Sequence, residues 1–441
     1  MTSAAPLDDP LVVAPFDGPV DAVVRPPGSK SLTNRALLVA ALAEGRSVLD
    51  GALAADDTDA MVRCLRVLGA TVTVEDDGRR LTVDGVDGRP PVEGALLDAR
   101  LSGTTSRFVA PVACLADATV VLDGGEPLRR RPMGDLLDAL AGLGAEVEPL
   151  GAPGCLPVQL TSRGLAGGTV DVAGDVSSQF LSGLMLSGPC MRKGLTVRLR
   201  TGLVSRPYVE MTASVMRDFG ATVQVGEQEV TVAPGGYRPV EHYLVEPDAS
   251  AASYWFALAA VTGGRVRVEG LGSGTSQGDL RFVQLLARMG AAVEVGPTAT
   301  EVAGTGVLRG IDVDMSDCSD TAQTLAAVAP FADSPTTVRG IGFIRGKETD
   351  RVRAVVTELQ RCGIGAVENE DGFTVPPGRP SGATVQTYDD HRMAMSFAVL
   401  AAGGSPEDPV KVADPGCVAK TYPGFWDDLA VVRGTVRPAG A

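Results

Sequence analysis

The sequence predicts an α/β protein of six similar units grouped as two domains, and two periodic signals predict it. Six times, at intervals of 70 to 73 residues, a small polar residue opens an Ala/Leu-rich apolar run. The openers are Ser31, Thr104, Ser177, Asp248, Asp320 and Asp390. In phase with them, a helix-like segment ends in Gly-Ala and passes into a Val-rich strand at 65–74, 140–149, 216–225 and 286–295, with a weaker copy at 359–368.

Each element has a physical reason. A run that is apolar on nearly every face past its first turn reads as a buried helix. Ser, Thr and Asp accept a hydrogen bond from an orphan N–H, so the openers are expected helix caps. Glycine just past a helix supplies a left-handed cap, and Val alternation marks the strand that follows. Each unit thus holds two helices and several strands, too long for a solenoid repeat and suited to a small α/β fold duplicated internally. At 441 residues the chain has room for two or three domains, and six units divide most simply as two domains of three. If the helix starts converge, dipoles and unpaired N–H groups make an anion site.

Composition narrows the function. A net charge of −15 speaks against nucleic-acid binding, which needs broad basic surface. No apolar run approaches the length that crosses a bilayer, and MTSAAPLDDP lacks the pattern of a signal peptide, so no membrane partner is expected. Seven cysteines without CxxC spacing fit a reducing cytosol and a cytoplasmic protein. With only His242 and His391 there is no metal cluster to propose.

The basic residues concentrate in motifs at element starts. In PPGSKSLTNRALLVAALAEG (26–45), Ser31 and Arg35 share a face near the positive end of a helix, with Lys30 at the rim. That suits phosphate or carboxylate; a nucleotide P-loop fails because the order is Gly-Ser-Lys-Ser. In LSGTTSRFV, Gly103 allows close approach of a ligand and Arg107 is either an anion contact or a structural charge. In EPLRRRPMGDLLDAL, Arg131 beside Pro132 is the arginine expected to point inward before a Pro-initiated helix. Ser177, Ser178 and Gln179 form either a phosphate cradle or a double-serine cap, and Ser205 and Arg206 precede a further helix. Lys347, Glu348 and Arg351 are expected to crowd one first-turn helix face, as a salt-bridged turn or as an acid/base group between cations. Asp390, His391 and Arg392 open the least polar helix, and Lys420 lies in a loop before the last one. Together these favour small polyanions as ligands, with Asp320 and Glu348 as acid/base candidates.

GSKSLTNRALLVAALAEG, SSQFLSGLML, GKETDR, DDHRMAMSFAVLAA and CVAKTYP, in this order, closely resemble the EPSP synthase (3-phosphoshikimate 1-carboxyvinyltransferase) family of enolpyruvyl transferases, over residues from about 20 to 425. The resemblance implies an inside-out α/β barrel fold: two domains, each of three βαβαββ-type units with buried parallel helices. The domains are expected at 1–28 plus 246–441 and at 29–245, with the active site in the cleft between them and closure on substrate by induced fit. It implies transfer of the enolpyruvyl group of phosphoenolpyruvate to the 5-hydroxyl of shikimate 3-phosphate in aromatic amino-acid biosynthesis, through a tetrahedral intermediate, without a cofactor and as a monomer. The implied shikimate 3-phosphate contacts are Lys30, Ser31, Arg35, Ser177, Ser178, Gln179, Ser205, Asp320 and Lys347. The implied phosphoenolpyruvate contacts are Lys30, Gly103, Arg131, Gln179, Arg351, Arg392 and Lys420. Asp320 resembles the group that takes the hydroxyl proton and Glu348 the one that exchanges protons with the methylene, with Lys30 as a further catalytic residue. Two positions depart from the family pattern: Phe343 and Leu101 each stand where many members have Asn.

The alternative within the same fold is UDP-N-acetylglucosamine enolpyruvyl transferase. That family carries a reactive cysteine in a Gly-Gly-Cys loop, where this chain has Gly124-Gly125-Glu126. A six-unit sliding clamp is disfavoured because the six helices are charged only at their starts.

Overall fold

The computed structural model describes residues 7–175 and 177–436. The chain divides into two compact units. The inserted unit is Gly28–Glu246; the terminal unit joins the segment up to Pro27 with the chain from Pro247 onward.

The repeat is plainest in the middle of the inserted unit. Strands Gly94–Asp98 and Asp117–Asp123 pair in parallel, with Gly94 opposite Thr119, and the helix Gly103–Ala113 makes the crossover. A parallel pair needs such a crossover, whereas antiparallel neighbours need only a turn. The helix Gly134–Gly142 then leads into antiparallel strands Glu146–Pro149 and Val158–Arg163, completing βαβαββ and a four-stranded sheet. The same order recurs over 168–232 and 312–375.

In two sheets the first strand comes from far along the chain. Tyr243–Leu244 pairs in parallel with Arg46–Asp50, and Asp21–Val24 with Arg265–Glu269. The chain therefore leaves the terminal unit after supplying a strand there, and leaves the inserted unit by doing the same. The sixth repeat is abbreviated to a three-stranded sheet in which Leu11–Val12 runs antiparallel to Lys411–Val412.

Six central helices follow the six openers: α1 (Lys30–Leu42), α2 (Gly103–Ala113), α3 (Ser178–Ser187), α4 (Ala249–Thr262), α5 (Ala322–Val328) and α6 (His391–Ala402). Every residue of α2 and α6 is buried, as helices apolar on all sides require. α1, α2 and α3 pack on one another in the inserted unit, and α4, α5 and α6 in the terminal unit, each trio within its own apolar core. The expected glycine caps are all left-handed: Gly69, Gly144, Gly220, Gly290 and Gly363 have φ between 78° and 112°.

Three of the six openers are caps and three are not. Ser177, Asp248 and Asp390 cap α3, α4 and α6. The cap of α1 is Ser29, whose Oγ accepts from Leu32 N–H, so Ser31 lies inside the first turn. The cap of α2 is Ser102, which accepts from Thr105 N–H, rather than Thr104. Asp320 sits in a 3₁₀ turn, Ser319–Thr321, and its carboxylate is taken by arginines instead. Two helix starts also shift. The helix after Arg131 begins at Gly134, not Pro132, and the helix after Glu348 begins at Arg351 with Asp350 as its cap.

Candidate functional site

In the terminal unit three carboxylates and three cations form one hydrogen-bonded chain. Arg351, the first residue of helix Arg351–Arg361, is its hub and is only 2 % exposed. Its Nε donates to Asp390 Oδ2 at 2.7 Å, its Nη1 to Asp320 Oδ1 at 3.0 Å, and its Nη2 to Glu348 Oε2 at 2.8 Å and Asp390 Oδ1 at 3.3 Å. Arg392 holds the other side of Asp320, donating to Oδ2 at 2.7 Å and to the main-chain carbonyl at 2.9 Å. Lys420 Nζ donates to Glu348 Oε1 at 3.2 Å. Asp320 and Glu348 are thus each fixed through both carboxylate oxygens. Burial pulls the Arg351 guanidinium down, but the Asp390, Glu348 and Asp320 carboxylates outweigh it and hold Arg351 above the usual arginine range.

Asp390 deserves its burial: its carboxylate is fully enclosed, receives Arg351 on one side and caps α6 through Arg392 N–H at 3.0 Å. Lys347 directly precedes Glu348 in the chain, its ammonium 6.0 Å from the ring centre of Phe343. The Glu348–Arg351 pair forms as its spacing suggests, but ahead of the helix rather than on its face, because the helix starts only at Arg351.

The inserted unit is built differently. Lys30 opens α1, with Nζ 3.5 Å from the buried Asp57. Arg35 is 2 % exposed and bonds to neutral groups: Nε to Thr212 Oγ1 at 2.8 Å, Nη1 to Ser31 O at 3.0 Å, Nη2 to Tyr208 O at 3.3 Å and Ser182 Oγ at 3.4 Å. Burial lowers its pKa to about 10. Ser177 accepts from Gln179 N–H at 3.3 Å, Ser178 is the first residue of α3, and Ser205 starts the next helix from a left-handed conformation at φ 53°. Gln179 Oε1 accepts from Arg107 Nη1 at 2.8 Å, and Nε2 donates to Thr104. Arg107 also donates to Pro132 O at 3.1 Å.

Gly103 shows how this part is assembled. A Cβ there would lie 2.7 Å from both Arg107 Nη1 and Arg131 Nη1, distances no real Cβ adopts. Two guanidinium groups therefore converge on one point beside the first turn of α2. Like charges brought together at a helix start suit an anion. Arg131 is buried while Arg129 and Arg130 are exposed, each paired with a nearby acid. The structure thus gives Gly103 the job of leaving room for the arginines.

The sequence matches the family model described as EPSP synthase (3-phosphoshikimate 1-carboxyvinyltransferase) over residues 16–429. The chain belongs to the EPSP synthase family. It is 44% identical over 419 residues to a 3-phosphoshikimate 1-carboxyvinyltransferase of Nostoc punctiforme, covering 95% of this chain and 98% of that one. Among solved structures, an EPSP synthase from Acinetobacter baumannii aligns with a TM-score of 0.81 and 26% identity, covering 96% and 98% of the two chains. The enolpyruvyl transferase NikO from Streptomyces tendae shares the fold, with a TM-score of 0.76 at 19% identity over 96% of this chain and 97% of that one.

Against the EPSP synthase pattern, Phe343 is half-buried, packs on the core of the terminal unit and offers its ring to Lys347. Leu101 is 46 % exposed, its side chain next to Gly125. Several partners escaped the sequence reading. Asp57 behind Lys30 acts within the first repeat, whereas Asp390 as the counter-charge of Arg351, and Thr212 and Ser182 around Arg35, act across repeats. Asp390 was legible as a helix opener but not as a partner of Arg351, and Asp57 lies within the acid-rich start DDTDA of a helix.

Proposed function

We propose that the two clusters, one in each unit, carry out the reaction of the EPSP synthases on one pair of substrates. That reaction transfers the enolpyruvyl group of phosphoenolpyruvate to shikimate 3-phosphate in the shikimate pathway. The observation that carries the assignment is the pair of carboxylates, Asp320 and Glu348, each locked through both oxygens by Arg351, Arg392 and Lys420.

Asp320 takes the proton of the 5-hydroxyl as its oxygen adds to C2 of phosphoenolpyruvate. Glu348, in its protonated form and with Lys30 assisting, hands that proton to C3, giving the tetrahedral intermediate. Removal of a proton from C3 by Glu348 then re-forms the C2–C3 double bond and expels phosphate, which carries off the proton that Asp320 took, leaving the new enol ether. A positioned general acid or base of this kind contributes roughly 10²–10⁴-fold. The rest of the assignment follows charge. Lys30, Gly103, Arg131, Gln179, Arg351, Arg392 and Lys420 take the phosphate and carboxylate of phosphoenolpyruvate. Lys30, Ser31, Arg35, Ser177, Ser178, Gln179, Ser205, Asp320 and Lys347 take shikimate 3-phosphate, with Arg35 also holding the start of α1 through Ser31 O. Guanidinium groups and helix starts offset such charge best when preorganised. The enzyme acts as a cytoplasmic monomer on small anions, without a nucleic-acid or membrane partner; among the described residues no helix is long and apolar enough to cross a membrane.

Phosphate release from phosphoenolpyruvate tests the proposal. Release should require shikimate 3-phosphate, and release driven instead by UDP-N-acetylglucosamine would contradict it.

A further inference from the structure

The helix Arg351–Arg361 is tied twice to the chain segment 386–392. At its start Arg351 receives Asp390 at 2.7 Å. Seven residues on, a spacing that returns a side chain to nearly the same helix face, Glu358 reaches the same segment. Its Oε1 accepts from the Tyr388 hydroxyl at 2.6 Å and its Oε2 from Gln386 N–H at 3.0 Å, with Arg361 Nε donating at 2.8 Å. Glu358 is fully buried, although it belongs to none of the charge pairs of the site.

Between the two ties the backbone is strained. Tyr388 and Asp389 both take left-handed conformations at φ 56°. Two successive side-chain-bearing residues hold that conformation only where their surroundings over-determine it. Tyr388 is 40 % exposed, so its burial does not account for the turn; the hydrogen bond from its hydroxyl to Glu358 does. Burial and the bond to Glu358 push the Tyr388 hydroxyl up to about 12, which keeps it a donor at neutral pH. The residue that follows this turn is Asp390, which caps α6 and holds Arg351.

We propose that Glu358 and Tyr388 are positioning residues: the buried carboxylate clamps the strained Tyr388–Asp389 turn and so sets Asp390 and, through it, the Arg351 guanidinium. Released from the clamp, the turn relaxes and Asp390 moves off Nε, leaving the guanidinium to be oriented by Asp320 and Glu348 alone. The effect on substrate rests on the assignment of Arg351 to phosphoenolpyruvate made above.

The test is a double-mutant cycle of Tyr388→Phe and Arg351→Lys, with Glu358→Gln alongside, in steady-state kinetics for both substrates and in thermal melts. Tyr388→Phe, which keeps the ring and loses one bond to a charged acceptor, should raise KM for phosphoenolpyruvate about tenfold. KM for shikimate 3-phosphate should hardly move. Glu358→Gln retains an acceptor and should have a smaller effect of the same kind. In the Arg351→Lys background the Tyr388→Phe effect should shrink below about twofold, since both changes act on one group. Additive effects, or equal losses for both substrates together with a lower Tm, would overturn the clamp. If Arg351→Lys raises KM for shikimate 3-phosphate instead, the assignment of Arg351 fails, and the coupling between the two positions still decides the clamp.

Discussion

The two units carry the same repeat and present opposite electrostatic solutions at their helix starts. In the terminal unit every cation of the cluster meets a carboxylate: Arg351, Arg392 and Lys420 against Asp320, Glu348 and Asp390. In the inserted unit, Arg35 and Arg107 are held by hydroxyls, an amide and main-chain carbonyls, while Lys30 has an acid beside it, Asp57. A cation satisfied by neutral groups keeps its charge for an incoming anion. A carboxylate pinned by cations is oriented for proton transfer. On the proposed assignment, one fold, duplicated, thus places both acid/base carboxylates in the terminal unit and the cations held by neutral groups in the inserted unit.

The comparison breaks first at Asp320. Asp320→Asn keeps the shape and removes the base, so kcat should fall by roughly 10²–10⁴ with the circular dichroism spectrum unchanged. Near-normal turnover would take the hydroxyl proton away from Asp320.

Stability separates the units next. Arg351→Met strands the buried Asp390 carboxylate, and breaking such a pair costs about 3–5 kcal/mol. Arg35→Met removes a desolvated cation and leaves Thr212 still bonded to Ser182 and Tyr208 O. It should cost only about 1–2 kcal/mol, the loss of ordinary hydrogen bonds. Urea unfolding without substrates measures both, and equal losses would erase the distinction.

A smaller effect is expected at Gly103. In Gly103→Ala the new methyl group displaces the Arg107 and Arg131 guanidinium groups, and KM for phosphoenolpyruvate should rise about tenfold, or about 1.4 kcal/mol, with KM for shikimate 3-phosphate unchanged. Smallest is the response of the thiols. Burial pushes Cys64, Cys114, Cys190, Cys318, Cys362 and Cys417 up to about 12, so they stay protonated and unreactive at pH 8. Counting thiols that react with a disulfide reagent on the native protein should give one fast site, Cys155, in the inserted unit; rapid reaction in the terminal unit would mean that its core opens.

What was legible in the sequence is what local pattern controls. Runs such as HRMAMSFAVLAA can only be buried helices, and a glycine between a helix and a Val-rich stretch can only be a left-handed cap, so six repeats could be counted. The motif residues were legible because they sit at helix starts. Their partners were not, since Arg35 meets Thr212 177 residues away and Lys420 meets Glu348 72 residues away. Such pairs are set by how repeats pack, which no window of sequence contains. The cap errors have a simpler cause: in Gly28-Ser29-Lys30-Ser31 two serines compete for the same N–H groups, and the helix starts one residue after the first of them.

The most direct test follows deuterium into the C3 methylene of phosphoenolpyruvate and product, by mass spectrometry, during turnover with shikimate 3-phosphate in heavy water. The wild-type enzyme should exchange these positions, and Glu348→Gln, which keeps the shape of the terminal cluster, should lose the exchange while still binding both substrates. Undiminished exchange in Glu348→Gln would contradict the assignment of proton chemistry to the carboxylates of the terminal unit.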